Sequence, residues 1–315
     1  MSNQPTILIT GGTGFAGSHL VEALLETGYK KIHVTSYGKD TGFVSTILPK
    51  DNLHALDLTD FNKTKKLLSA LKPDQIFHLA AMSAVGNSFD KLKQVLDINT
   101  QIQLSVLIAA KEASTQARIL TIGSALEYQP QNTPISETDP LGPVSPYGVS
   151  KVTQDMLAYS FFKQEGLDII RTRSFNHIGE RQAPGFAVPD FATQIAKIKQ
   201  GKQKSIKVGN LEAIRDFTDV KDTVQAYITL MNTGKSGEVY NVGSGRGYTI
   251  QFILDTLIGY SNSSIEVQLD PTRHRPTEVP QVVANIDKIK QLGWSPTTNI
   301  EETLKRTLSY YQKQL

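Results

Sequence analysis

Tyr147 and Lys151 stand four residues apart in the stretch Ser145-Pro146-Tyr147-Gly148-Val149-Ser150-Lys151. In a helix that spacing projects both side chains from one face, so the ammonium can lie beneath the phenol. An ordinary tyrosine, with a pKa of about 10, is too weak an acid to be poised at neutral pH. A fixed cation nearby favours the phenolate and makes the group a usable proton donor and acceptor. The chemistry this suggests is a proton moved by Tyr147 while a hydride moves elsewhere. Surface helices also produce Tyr-x-x-x-Lys, so the reading depends on whether the rest of the chain supplies the partners.

The segment Thr6 to Thr10 reads as a buried strand that runs into Gly11-Gly12-Thr13-Gly14-Phe15-Ala16-Gly17 and an apolar-periodic helix through Leu25. The glycines at 11, 14 and 17 give a tight turn, close backbone approach to a pyrophosphate and a helix N-terminus that favours negative charge. A second strand, Lys31 to Thr35, ends at Ser36-Tyr37-Gly38-Lys39 with no carboxylate to read a free ribose 2′-hydroxyl. Ser36 and Lys39 suit a 2′-phosphate instead, so NADP(H) is preferred and NAD(H) is possible; Lys39 is equally compatible with a solvated loop position. Asp57 ends a third short strand, His54 to Leu58, where it can hydrogen-bond an adenine amine; the alternative is a helix N-cap role for Asp57 or Asp60.

A fourth strand, Gln75 to Leu79, ends in the small residues Ala80 and Ala81, which let a ligand approach the backbone, and Met82 to Ser88 reads as a loop over the cofactor. His78, inside the strand and among apolar neighbours, reads as structural. The pattern from Asp90 to Ala113 is a long helix with Asn99 buried in its middle, where an unpartnered amide would be costly. A fifth strand, Ala117 to Ile122, leads to Gly123-Ser124-Ala125-Leu126-Glu127-Tyr128. Ligands of open parallel sheets bind at that edge, so Ser124 can hydrogen-bond a substrate carbonyl oxygen with Tyr147 as second donor. The helix carrying Tyr147 and Lys151 runs to Gln164, and a sixth strand runs from Leu167 to Arg173.

Strand and helix alternate up to that point, which predicts an α/β fold with a doubly wound parallel Rossmann sheet. Beyond it, Ser174 to Gly179 reads as a polar turn, followed by helices at about Val188 to Gln200 and Val220 to Met231. Glu238 to Val242 reads as one more strand of the first sheet, with the remainder forming a smaller C-terminal α/β lobe.

Bulk properties narrow the function classes. The net charge of +3 with dispersed basic residues disfavours nucleic acid as a partner. The absence of cysteine removes disulfides, thiolate nucleophiles and zinc-thiolate sites, and no metal site is expected. The N-terminus lacks the pattern of a cleaved leader, and no apolar run reaches membrane-spanning length, so a cytoplasmic protein with no membrane partner is the expectation.

Taken together, Gly11-x-x-Gly14-x-x-Gly17, Asn99, Ser124 and Tyr147-x-x-x-Lys151 resemble the extended short-chain dehydrogenase/reductases that act on nucleotide sugars. Arg173 to Gly179, Val208 to Phe217 and Arg275 to Pro280 are similar to the branch handling GDP-mannose derivatives. The resemblance implies that Ser124 and Tyr147 bind the hexose oxygen being oxidised or reduced, and that Lys151 lowers the tyrosine pKa and holds the nicotinamide ribose. It implies cofactor contacts from Gly11, Gly14, Phe15, Ala16, Gly17, Ser36, Lys39, Asp57, Leu58, Leu79, Ala80, Ala81 and Asn99. For the substrate it implies Asn176, Arg215, Arg275 and Glu278 around the diphosphate and ribose, and Asn210 near the base. Ser83, Leu126 and Val188 complete that lining. Arginines suit a diphosphate and a glutamate suits a ribose diol or guanine N–H groups; local ion pairs of Arg215 with Asp216 and of Arg275 with Glu278 are the alternatives.

Residues 1–174 with 219–244 form the expected dinucleotide-binding domain, and 175–218 with 245–315 the nucleotide-sugar-binding lobe. The 4,6-dehydratases of this family carry an acidic pair two and three positions before the tyrosine matching Tyr128; Leu126 and Ala125 stand there, and Gln129 replaces the glycine expected next. Neither Leu126 nor Ala125 exchanges protons, so dehydration is disfavoured, and the activity the resemblance implies is NAD(P)H-dependent reduction at C4 of a GDP-linked 4-keto-6-deoxyhexose. A 4-epimerase with tightly held NAD and a catalytically idle dinucleotide-binding module are the alternatives. Relatives of this type pair through two long helices per subunit, which implies a homodimer with Asp90 to Ala113 and Pro146 to Gln164 in a four-helix seam.

Overall fold

Ile7, Leu8 and Ile9 are each 0 % exposed although successive strand residues point to opposite faces. Both faces of this strand are therefore covered, as the centre of a parallel sheet with crossover helices requires. The computed structural model, which describes residues 4–38, 41–83, 91–113, 116–273 and 279–314, places β1 (Ile7–Thr10) in the middle of a seven-stranded sheet. Its other strands are β2 (Ile32–Ser36), β3 (Leu53–Ala55), β4 (Gln75–His78), β5 (Arg118–Ser124), β6 (Ile169–Ser174) and, after three strands of a second region, β10 (Val239–Val242). The order is β3-β2-β1-β4-β5-β6-β10. Every pairing in it is parallel. The chain reverses direction across the sheet between β1 and β4, the switch point where such folds bind ligands.

Helices α1 (Phe15–Glu26) and α6 (Val220–Thr233) pack side by side on one face. Ile7 and Ile9 join Leu20, Leu24, Val224 and Tyr227 in that core. On the other face lie α2 (Phe61–Leu71), α3 (Leu92–Glu112) and α4 (Pro146–Glu165), whose core contains Leu8, Leu68, Val106 and Ala158. Asp60 N-caps α2 by accepting the Lys63 N–H at 3.1 Å, and Ser145 caps α4 by accepting that of Gly148, also at 3.1 Å.

The second region contains β7 (Asn176–Ile178), α5 (Ala187–Lys199), β8 (Ser205–Val208), β9 (Ile214–Asp219), β11 (Gly247–Thr249), α7 (Ile250–Ser261), β12 (Glu266–Leu269), β13 (Gln281–Val282), α8 (Asp287–Lys290) and α9 (Ile300–Gln314). Strand β9 pairs with β7, β11 and β13, and β8 pairs with β12. A separate core of Val188, Phe191, Ile206, Phe217, Leu254 and Leu304 ties α5, α7 and α9 together. Residues 282–294 depart from the expected division of the chain: Val282, Ala284, Ile286, Ile289 and Trp294 pack into the core of the first sheet.

Two local expectations change. The third strand stops at Ala55, so Asp57 lies beyond it and accepts bonds from the Thr59 N–H and hydroxyl at 3.0 and 2.7 Å. Asn176 to Ile178, read as part of a polar turn, is a strand whose partner, β9, begins only at Ile214; three residues carry no readable periodicity.

Candidate active site

The turn after β1 brings Gly11 into the left-handed region, at φ 66°, and onto the backbone of Ala80, whose Cα would stand 2.9 Å from any added Cβ. A side chain at this position would be both strained and obstructed. Gly14 then N-caps α1 in extended conformation with no side-chain cap bond, and α1 carries no acidic residue in its first turn. This cradle has the form a dinucleotide pyrophosphate requires: bare backbone at a helix N-terminus beside the switch point. Phe15 stacks on His177 at 5.6 Å between centroids, and Ala80 and Ala81 follow β4 after Leu79. Ser36 is buried and its hydroxyl donates to Gly38 O at 3.0 Å. Leu58 is buried, Leu79 and Ala81 are partly exposed, and Ser83 is exposed. Lys39, Arg275 and Glu278 lie outside the described residues.

Ser124 is the last residue of β5 and N-caps the single helical turn Ala125–Glu127, accepting the Leu126 N–H at 3.2 Å. Helix α4 reaches this turn because Gly148 has no side chain: a Cβ there would lie 2.4 Å from Leu126 O. The close approach sets the first turn of α4, with Tyr147, beside the segment of Ser124. Lys151, 4 % exposed, donates to Ile122 O of β5 at 2.8 Å and lies 5.8 Å from the centre of the Tyr147 ring. Burial lowers the Lys151 ammonium from the usual lysine range, and the Glu127 carboxylate opposes that shift.

The phenol behaves differently from the expectation that Lys151 draws it toward phenolate. Burial raises Tyr147, and Glu127 and Tyr227 raise it further. The Lys151 ammonium is directed at the Ile122 carbonyl. Tyr147 is therefore held as a neutral acid at neutral pH, the state needed to donate a proton.

Asn99 is fully buried in α3, and its amide is well used. It accepts the Met82 N–H at 2.6 Å and donates to Ser150 Oγ at 2.9 Å and Met82 O at 3.3 Å. One amide thus ties the segment after β4 to α4, next to Lys151. His78 meets Thr10 Oγ1 through Nδ1 at 2.7 Å, and burial holds it down at about 3, so it stays neutral.

The remaining candidates are spread over the second region. Asn176 is exposed on β7, and Asn210 follows β8, accepting the Glu212 N–H at 2.9 Å. Arg215 on β9 donates to Ile214 O at 2.8 Å. The Asp216 carboxylate accepts from Ser244, Gly245 and Ala284, at 2.6 to 3.1 Å. The Val188 side chain is 1 % exposed within the second core and so cannot present itself to a ligand. Leu126 is 42 % exposed, whereas Glu127 next to it is 0 % exposed.

Two residues escaped the sequence reading. Tyr37, 85 % exposed immediately after β2, is an aromatic surface at the cofactor end of the sheet; its position alone was the available signal. Arg181, in the left-handed region at φ 69°, lies over the Phe43 ring at 4.0 Å and pairs with Glu22 at 2.7 Å. It helps line a cavity of about 560 Å³ that opens against Thr13 and Gly14. Among the described residues no group of three or more His, Asp or Glu is arranged to hold a metal ion, and no helix is long and apolar enough to cross a membrane.

A seven-stranded parallel sheet in this order, with Ser124, Tyr147 and Lys151 at its carboxyl edge, defines a Rossmann-type oxidoreductase fold of the extended short-chain class. The chain belongs to the family described as GDP-mannose 4,6 dehydratase, which it matches over residues 8–307. It is 31% identical to the GDP-6-deoxy-D-mannose reductase of Pseudomonas aeruginosa over 98% of each chain. The structure of RMD from that organism, complexed with NADPH, superimposes with a TM-score of 0.86 at 29% identity, covering 98% of this chain and 100% of the other. A UDP-glucose 4-epimerase of Thermus thermophilus in complex with NAD gives a TM-score of 0.86 at 25% identity, covering 98% and 99%. The protein is thus an enzyme of the family that includes nucleotide-sugar dehydratases and reductases.

Proposed function

We propose that this enzyme reduces the C4 ketone of GDP-4-keto-6-deoxy-D-mannose to a GDP-6-deoxyhexose, GDP-D-rhamnose or its C4 epimer, using NADPH in preference to NADH. The observation that carries this reading is the pair Leu126 and Glu127. The side chain open to the site is a leucine, and the neighbouring carboxylate is turned completely into the protein. Eliminating water across C5 and C6 needs an added acid and base; reducing a ketone needs one proton donor. Tyr147, held protonated, is that donor.

The bound cofactor supplies the hydride. Ser124 donates a hydrogen bond to the C4 oxygen and orients it, and Tyr147 delivers its proton to the alkoxide that develops there. The Lys151 ammonium stabilises the phenolate left behind. The turn at Gly11 to Gly17 and the N-terminus of α1 hold the pyrophosphate, with Phe15, Ala16, Leu79, Ala80 and Ala81 along the dinucleotide. Asn99 fixes the Met82 backbone and α4 beside Lys151, where they would support the bound cofactor. Asn176, Asn210 and Arg215 bind the nucleotide of the sugar, with Arg275 and Glu278. Similarity to RMD complexed with NADPH supports this cofactor preference, as does the absence of a carboxylate at the end of β2.

The enzyme pairs as a homodimer through α3 and α4. Val149, Met156 and Tyr159 are 41 %, 41 % and 39 % exposed at positions i, i+7 and i+10 of α4, an apolar stripe of the kind a helix interface covers.

Incubation with GDP-4-keto-6-deoxy-D-mannose and NADPH tests the reading, with the C4 configuration of the product assigned by NMR. Tyr147→Phe should lower turnover by about a hundredfold or more while NADPH binding survives. Interconversion of C4 epimers without net NADPH oxidation would establish the epimerase instead, and undiminished turnover in Tyr147→Phe would overturn the mechanism.

A further inference from the structure

Glu127 is the carboxylate bonded to the Ser124 backbone. It is fully buried, and its Oε1 accepts the Ser124 N–H at 2.6 Å, closing a reciprocal capping box with the Ser124 hydroxyl. Its Oε2 accepts Arg173 Nε at 3.2 Å. Room for the carboxylate exists because residue 123 is glycine: a Cβ there would stand 2.4 Å from Oε1. Arg173 continues to Asp155 on α4 at 2.6 Å, and Asp155 to Arg171 at 2.9 Å. The two carboxylates and two guanidiniums of this chain are all 7 % exposed or less and cancel in charge.

A buried ionic chain of this kind contributes little net stability compared with apolar packing of the same volume. Its value has to come from what it fixes. Through β6 the chain links the turn after β5 to α4, and so joins the elements that carry Ser124 and Lys151. Burial and the neighbouring Asp155 carboxylate push the Glu127 carboxyl well above the usual carboxylate range, and Arg173 and the Ser124 N–H pull it back.

We propose that Glu127 is a positioning residue of this active site: its carboxyl group, braced by Arg173, accepts the Ser124 N–H and fixes the backbone that carries the Ser124 hydroxyl. Its kinetic consequence rests on the reductase reading; its structural consequence does not.

The test uses hydrogen exchange on the full-length protein. Glu127→Asp withdraws the acceptor by one methylene and should exchange the Ser124 amide hydrogen at least about tenfold faster than the native protein. Glu127→Gln preserves size and an acceptor oxygen for that N–H, and should exchange it more slowly than Glu127→Asp. Turnover should fall on the order of tenfold in Glu127→Asp while KM stays within about twofold. An unchanged Ser124 exchange rate in Glu127→Asp, or a loss of turnover there carried by KM alone, overturns the proposal. Lack of turnover by the native protein on the 4-keto sugar would instead sink the reductase reading and leave the exchange measurement decisive for Glu127.

Discussion

Replacing Gly148 by alanine tests whether the seating of α4 against the end of β5 sets catalysis. The added Cβ would lie 2.4 Å from Leu126 O and 2.9 Å from Pro143 Cβ. An ordinary carbon–oxygen contact is about 3.3–3.6 Å, so a gap of about 1 Å must open. Leu126 is held in place by its N–H bond to Ser124 Oγ, and α4 by its Ser145 cap and by the Lys151 bond to Ile122 O. The displacement is thus shared by the groups on the two sides, Ser124 on one and Tyr147 on the other. A misplacement of about 1 Å in reacting groups costs on the order of a hundredfold in rate. Overpacking costs about 1–3 kcal/mol. With an unfolding entropy of about 2.1 cal/mol/K per residue over 315 residues, that is a fall of about 2–5 °C in Tm. Gly148→Ala should therefore lose about two orders of magnitude in kcat for the 4-keto sugar, melt slightly lower, and still quench NADPH fluorescence on binding. A kcat within about threefold of the native value would refute the argument that this contact sets the geometry.

Truncating Asn99 to alanine leaves Met82 N–H and Ser150 Oγ without their partner in a fully buried position. The expected cost is about 2–4 kcal/mol, read as a Tm lower by about 3–6 °C; an unchanged melting curve would show that these groups find other partners. His78 is held neutral at about 3 by burial, below the usual 6.5. Below pH 6.5 the unfolded chain takes up a proton there that the folded protein does not, so stability is lost as pH falls from 6.5 toward 3, by about 1.4 kcal/mol per pH unit. Native protein and His78→Gln should accordingly differ in the pH slope of Tm by about 2 °C per unit between pH 6 and 4.5, and parallel curves would contradict a buried neutral imidazole.

Much of the first sheet was legible because its signals are local. Ile7 to Ile9, the glycines at 11, 14 and 17, and the Tyr147 to Lys151 spacing each depend on covalent neighbours or on one helical turn. A parallel sheet buried on both faces also writes itself as short apolar runs, as at Ile7 to Ile9 of β1 and Ile76-Phe77 of β4. The second region was less legible. Strands β7, β11 and β13 have three, three and two residues, and each exists only because β9 offers it a partner.

At the candidate site, residue identity came from the sequence and residue state from the tertiary structure. The spacing of Tyr147 and Lys151 put both on one helical face, but the protonation of the phenol depends on burial and on Glu127, Tyr227 and the Ile122 carbonyl, which come from three other elements. Leu126 reads into the lining of the site from the sequence, and its neighbour Glu127 does not. Only the capping of Ser124 and the guanidinium of Arg173, forty-six residues on, turn the carboxylate inward and leave the leucine outside. Chemistry that depends on which groups can touch is written in the sequence; chemistry that depends on the dielectric and field around them is decided when distant segments close over the site, because desolvation and charge coupling act through space.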